Sequence, residues 1–236
     1  MIEIIGSGNV ASHLYQALKD KVETHLVNPR TFEGWKDNPS IVLISVSDSA
    51  IEEVASKIPR NGAIIAHTSG SVPVSELEPF SDNIGVFYPL QTFTKGVPLK
   101  YDEIPVFIEG NTGYAVNKLK ELANIFSNNV FEADSVQRKK LHLAAVFACN
   151  FTNALAGVAF DILSKAGLEQ KVILPLINQT VEKLNSLSPK EAQTGPAIRR
   201  DVKILEEHEK MLENSPEIAG IYKRISDFIM NSEKKK

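Results

Sequence analysis

The chain has a single cysteine, Cys149, and a single tryptophan in 236 residues. One thiol excludes an internal disulfide framework and a cysteine-built metal site, and its apolar neighbours give it the character of a small packing group. The five histidines form no cluster with carboxylates at ligand spacing, so no metal is expected and a metal-dependent hydrolase is disfavoured. Charge of one sign is also scarce. The formal net charge is -3, with no concentrated basic face of the kind that neutralises nucleic-acid phosphates. The one basic run, Glu233-Lys234-Lys235-Lys236, reads as a solvated, frayed tail. No charged segment precedes the apolar residues that begin at Ile2, so a signal peptide is not expected and the cytoplasm is the expected location.

Long hydrophobic runs are missing with one exception. Leu143 to Leu163 is apolar almost all round, and about 20 such residues can span a bilayer. It also carries Asn150, Thr152, Asn153 and Asp161, which a lone helix in hydrocarbon would leave poorly satisfied. A helix apolar on every side also suits a protein core or a subunit interface. The expectation is burial in protein, with no membrane partner and a homodimer formed through the helical half.

What is present is ordinary for a globular protein: 43% hydrophobic and 23% charged residues, enough for one or two domains. The first half alternates short apolar runs with helical patterns. Ile2-Ile5, His25-Val27, Ile41-Val46, Ala63-Ala66, Ile84-Tyr88, Pro105-Ile108 and Val130-Phe131 read as strands. Helices are expected near 10–19, 49–57 and 115–126. This alternation predicts right-handed crossovers and a mainly parallel sheet covered on both faces. Beyond about Asp134 the pattern is helical throughout: a long helix from Ser135 to Lys165, then 170–187, a third opening at Pro196, and a fourth opened by Ser215-Pro216-Glu217. The fold class is therefore α/β, a Rossmann dinucleotide-binding domain over 1–133 followed by an all-α domain over 134–236.

Gly6-Ser7-Gly8-Asn9-Val10-Ala11 fits G-x-G-x-x-G/A. In that motif the first glycine permits a tight turn, the second admits a pyrophosphate, and the third small residue allows close helix–sheet packing. It follows a strand and opens a helix whose free N–H groups suit an anion. At the end of the second strand an NAD site usually carries a carboxylate for the ribose hydroxyls. Here Asn28-Pro29-Arg30-Thr31 stands instead. Arg30 can grip a 2′-phosphate while Asn28 and Thr31 donate, so NADP is the expected cofactor; a merely solvated Arg30 is the alternative. Val46-Ser47 and His67-Thr68-Ser69 lie past later strands, where ligands of open α/β sheets bind. Asp48 or Ser49 could equally cap the next helix.

Several segments together resemble the Rossmann-like proteins with a helical C-terminal domain of unknown function, the DUF2520 family, within the wider superfamily of 6-phosphogluconate dehydrogenase-like reductases. They are the glycine loop, His67-Thr68-Ser69-Gly70-Ser71, Tyr88-Pro89-Leu90-Gln91-Thr92-Phe93, the run from His142 to Phe151, and Thr194-Gly195-Pro196-Ala197-Ile198-Arg199-Arg200-Asp201. The resemblance implies a two-domain reductase acting on a small carboxylate-bearing keto or imine substrate, with ketopantoate the leading candidate. It also implies helices that pack against a second subunit. Several relatives use a lysine early in the long helix with an asparagine one turn later. Here Val146 precedes Asn150 and Cys149 precedes Asn153, so that role is not carried over.

Read directly, His142, Asn150 and Asn153 fall within about a 140° arc at 100° per residue. They are the catalytic candidates, with histidine as donor to a developing alkoxide; structural pairing of the asparagines is the alternative. Thr194 and Arg200, at a helix entrance, are candidates for gripping a substrate carboxylate. Ser69, Tyr88 and Gln91 are candidates for lining the same cleft, with core packing the alternative for Tyr88. A non-catalytic NADP-binding sensor on the same fold is the second functional expectation.

Overall fold

The computed structural model describes residues 1–232; the expected frayed tail from Glu233 to Lys236 lies outside them. Contacts divide the chain into two compact units, Met1–Phe151 and Thr152–Lys236.

The first unit is a seven-stranded sheet. Its strands are Ile2–Ile5 (β1), Thr24–Val27 (β2), Ile41–Ile44 (β3), Ile64–His67 (β4), Ile84–Pro89 (β5), Val106–Gly110 (β6) and Val130–Glu132 (β7), in the order β2-β1-β3-β4-β5-β6-β7. Every pairing is parallel except β5 with β6, in line with the mainly parallel sheet expected. Four-residue runs such as Ile41-Val42-Leu43-Ile44 are buried at every position, as strands covered on both faces must be. Period-two alternation then sorts them. Ile2, Ile4 and Leu43 pack on one face with helices Asn9–Leu18 (α1) and Gly113–Phe126 (α3), while Ile5, Val42 and Ile44 pack on the other with helix Ile51–Ser56 (α2).

Helix Ser135–Ala145 (α4) also belongs to the first unit. It opens with Asp134 as N-cap in a reciprocal capping box with Gln137. A π turn over Val146–Phe151 follows, and Thr152–Lys165 (α5) completes a 31-residue helix. By length and composition this helix could cross a membrane. It is not buried within its own chain: Leu143 is 58%, Phe147 62% and Ile162 50% exposed, which leaves a subunit interface as the form of burial still open to it.

The second unit contains α5, Leu174–Lys183 (α6), Pro189–Ala192 (α7), Val202–Met211 (α8) and Pro216–Ser232 (α9). The helix expected at Pro196 starts six residues later, at Val202. Arg200 takes a left-handed φ of 55°, which no α-helix continues through, and Asp201 then caps α8 by accepting from the Ile204 N–H. The segment from Gln170 opens as a 3₁₀ turn before α6, and the Ser188–Glu191 capping box builds the short α7, which was not anticipated.

Candidate functional site

The glycine loop joins β1 to α1. Gly6 is required by packing, because a Cβ there would stand 2.2 Å from the Ser45 carbonyl oxygen and 2.9 Å from Ala11 Cβ. Around Gly8 there is open space, so a ligand's phosphates can approach its backbone. Gly8 caps α1 without any side-chain hydrogen bond, which leaves the first-turn N–H groups unclaimed by a side chain and suited to an anion. Asn9 Oδ1 accepts from the Lys95 N–H at 3.2 Å, tying a later loop to the helix start. Ser7, Gly8, Asn9 and Val10 form one wall of a cavity of about 880 Å³, and every residue around it belongs to the first unit. That volume lies in the range of cofactor clefts.

Past β2, Asn28 Oδ1 accepts from the N–H groups of Arg30 (2.9 Å) and Thr31 (3.3 Å). This side-chain turn leaves Arg30 exposed on the cavity rim beside Pro29. Asn28 therefore shapes the loop with its carbonyl oxygen, and together with Gly6 and Ser7 it lines a smaller neighbouring hollow. Thr31 lies on neither, and its hydroxyl accepts from the Glu33 N–H. Val46 and Ser47 follow β3 on the cavity wall. Neither Asp48 nor Ser49 caps a helix with its side chain; Asp48 faces the cavity instead. Lys57, which the sequence did not single out, lines it too and is held by Glu53 at 2.7 Å.

After β4, Thr68, Ser69 and Gly70 reach the cavity, whereas His67 is fully buried behind them. His67 Nδ1 accepts from the Ser69 N–H at 3.2 Å. Burial, reinforced by the nearby Arg138 cation, pushes the imidazole pKa from 6.5 down to about 4, so His67 is neutral and structural. The Ser69 hydroxyl oxygen accepts from the N–H groups of Ser71 and Val72, folding the loop back on itself.

Also on the cavity lining, Tyr88 Oη and His142 Nδ1 lie 3.1 Å apart. Tyr88 is the penultimate residue of β5 and His142 is on the third turn of α4, so the sheet and the helix each contribute one partner. The rings meet edge to face. Burial raises the phenol pKa, and the Arg138 charge works in the opposite direction.

Gln91 and Asn150 lie in the first unit but not on the cavity lining. Gln91 is exposed and its Oε1 accepts from its neighbour Thr92 N–H. Asn150 is exposed inside the π turn and does not line the cavity. The π turn holds more residues per turn than the 100° spacing assumed, so the predicted arc does not apply past Ala145. Asn153, Thr194 and Arg200 belong to the second unit. There Arg200 donates to the Met230 carbonyl at 2.8 Å, and the Thr194 carbonyl accepts from the Gln193 side chain. Among the described residues no group of histidine, cysteine and carboxylates could hold a metal ion.

Residues 104–229 match the family model described as Domain of unknown function (DUF2520). Among solved structures, the chain is similar to BF3122, a candidate NADP oxidoreductase from Bacteroides fragilis. The two share 37% identity with a TM-score of 0.87, over 98% of this chain and 97% of that one. Pyrroline carboxylate reductase of Plasmodium falciparum with NADP bound matches at 14% identity and TM-score 0.60, over 97% and 99%. An imine reductase from Myxococcus stipitatus in complex with NADP+ matches at 13% and 0.64, over 99% and 94%. At those identities the last two show a shared fold. A comparison with curated proteins finds no match.

Proposed function

The chain belongs to the DUF2520 family, and from that premise we propose that it is an NADP-dependent reductase of a small carboxylate-bearing ketone or imine. The observation that carries this reading is the placement of Tyr88 Oη and His142 Nδ1, 3.1 Å apart, in the same cavity as the glycine loop and Arg30. The Gly8 backbone and the free N–H groups of α1 would hold the pyrophosphate, and Arg30 the 2′-phosphate. Bound NADPH supplies the hydride.

Tyr88 then supplies the proton. As hydride reaches the substrate carbon, Tyr88 Oη gives its proton to the carbonyl oxygen or imine nitrogen. His142 returns a proton through Nδ1 to the phenolate oxygen as its Nε2 takes one up from solvent. A phenol is protonated at neutral pH, and burial raises the Tyr88 pKa further, because the phenolate loses hydration there. It is therefore a donor at rest and is charged only during turnover.

The test is a titration of the purified chain with NADPH and NADH, followed by NADPH consumption with ketopantoate and with a pyrroline carboxylate. Turnover of either compound supports the reading, and Tyr88→Phe should then lower the rate by about 10²–10⁴ while sparing NADPH affinity. Tight NADPH binding without turnover of any keto acid or imine supports the sensor instead. An unchanged rate in Tyr88→Phe removes the proton assignment.

The exposed apolar helices need a cover, and the occupant we propose is a second copy of this chain. The exposed surface is not confined to one helix: Leu176 and Val181 on α6 share it with α5. Apolar surface on this scale marks an interaction site in a globular protein, and a two-fold contact would cover both copies at once.

A further inference from the structure

Arg138 stands one helical turn before His142, so the two side chains leave α4 on the same face. It is wholly removed from solvent, the largest side chain so buried among the described residues. Its guanidinium is engaged at all three nitrogens. Nε donates to the Ser69 carbonyl at 3.2 Å, Nη2 to the Val72 carbonyl and the Ser135 hydroxyl, and Nη1 to the Glu109 carboxylate of β6. Glu109 is itself fixed by the Ser135 N–H and hydroxyl. Ser69 and Val72 flank Gly70 and Ser71. Gly70 is pressed so closely on the functional pair that a Cβ would stand 2.8 Å from both His142 Nδ1 and Tyr88 Cζ.

A buried arginine braced in this way is a poor stability device, because desolvation offsets much of the ion-pair energy. Its geometry does something more specific. It draws the 69–72 backbone toward α4, and the middle of that backbone is the surface against which both rings rest. We propose that Arg138, anchored on Glu109, is the positioning residue of the Tyr88–His142 pair, holding Gly70 against the two rings so that their hydrogen bond has one geometry.

The brace also has an electrostatic side. The charged and titratable groups that act on Tyr88 are His142 and Arg138 from α4, Asp48 after β3 and Cys149 from the π turn, with neutral His67 behind the loop. Burial, Asp48 and Cys149 oppose loss of the phenol proton, and Arg138 favours it. For its consequence in turnover the inference rests on the reductase reading; for the geometry of the pair it does not.

The experiment needs no substrate. In the full chain, the nitrogen-15 resonances of His142 are compared with and without Tyr88→Phe, first with Arg138 present and then in Arg138→Gln. With Arg138 present, Tyr88→Phe should shift His142. In Arg138→Gln the shift should be lost, because the pair is already parted, and Arg138→Lys should restore part of it. A folded Arg138→Gln protein in which Tyr88→Phe shifts His142 as fully as before overturns the proposal. If Arg138→Gln does not fold, Glu109→Gln decides by the same readout. With the arginine's anchor gone, Tyr88→Phe should shift His142 less than in the unaltered chain, and an undiminished shift overturns the proposal. The reductase reading fails separately, through absence of turnover, whatever His142 and Tyr88 show here.

Discussion

Between Ile2 and Phe126 most large aliphatic side chains are out of solvent, whereas from Leu143 to Phe228 many stand half exposed or more. Among the described residues, only Ala197 and Leu205 are buried hydrophobics beyond Phe151. The sheet supplies the difference. A parallel sheet with helices on both faces closes its own core, while five short or amphipathic helices leave one apolar stripe each to be covered. The first unit thus carries the proposed cofactor cavity on a self-sufficient scaffold, and the second offers a surface. Stability and association should therefore respond to substitutions in different places.

The largest expected effect is on association. Leu176, 64% exposed on α6, should when changed to Asp convert a dimer wholly to monomer, measured as a halved mass by light scattering. A monomeric starting protein would remove the second copy from the account. Next comes the core: Leu43→Ala, at a fully buried position, should cost about 4 kcal/mol in urea unfolding. Met211→Ala, at 78% exposure, should stay within about 0.5 kcal/mol. Comparable losses at the two positions would abolish the contrast between the units.

Acid should act on the first unit through His67. Its imidazole is neutral when folded, with a pKa of about 4 against 6.5, so between those values the unfolded chain binds a proton that the folded chain does not. The stability is fully present above about pH 6.5 and falls as pH drops toward 4, by about 3 kcal/mol in all. His67→Asn should flatten that slope; an equally steep fall in the variant would show that other groups carry it. The smallest effect separates the arginines. Arg30→Asp should reduce the preference for NADPH over NADH by about 10- to 150-fold, and Arg200→Asp should leave it unchanged in equilibrium titrations. Equal losses for the two cofactors in Arg30→Asp would sink the 2′-phosphate assignment.

Much of the scaffold is legible in the amino-acid order because each feature rests on local chemistry. Ile41-Val42-Leu43-Ile44 can only be a strand covered on both sides, and Gly6 and Gly8 stand where a strand meets a helix. What is not legible depends on partners far away in the chain. Arg138 sits between Gln137 and Lys139 in a polar stretch, and nothing there reveals that Glu109 awaits it 29 residues earlier. Tyr88 and His142 are 54 residues apart, and neither position alone distinguishes packing from proton transfer. The helical-wheel argument for Asn150 depends on a regular helix, and the π turn at Val146–Phe151 removes that premise. Pro196 obeys a sound local rule for helix starts, and the left-handed turn at Arg200 overrides it.

The strand order has a consequence for how the molecule is made. After β1 and β2 pair, β3 adds on the far side of β1, and β4, β5, β6 and β7 each add to the strand laid down just before. Every strand after β1 therefore has a partner that is synthesised before it, and only β1 must wait for a later one. The glycine loop and Arg30 are synthesised before most of the protein. Tyr88 arrives with β5, but its partner and the arginine brace are synthesised only after the last strand. On the proposed reading, a nascent or truncated chain ending near Glu132 would thus contain the proposed cofactor-binding loops without the proposed proton-donating pair, so the means to bind would precede the means to react.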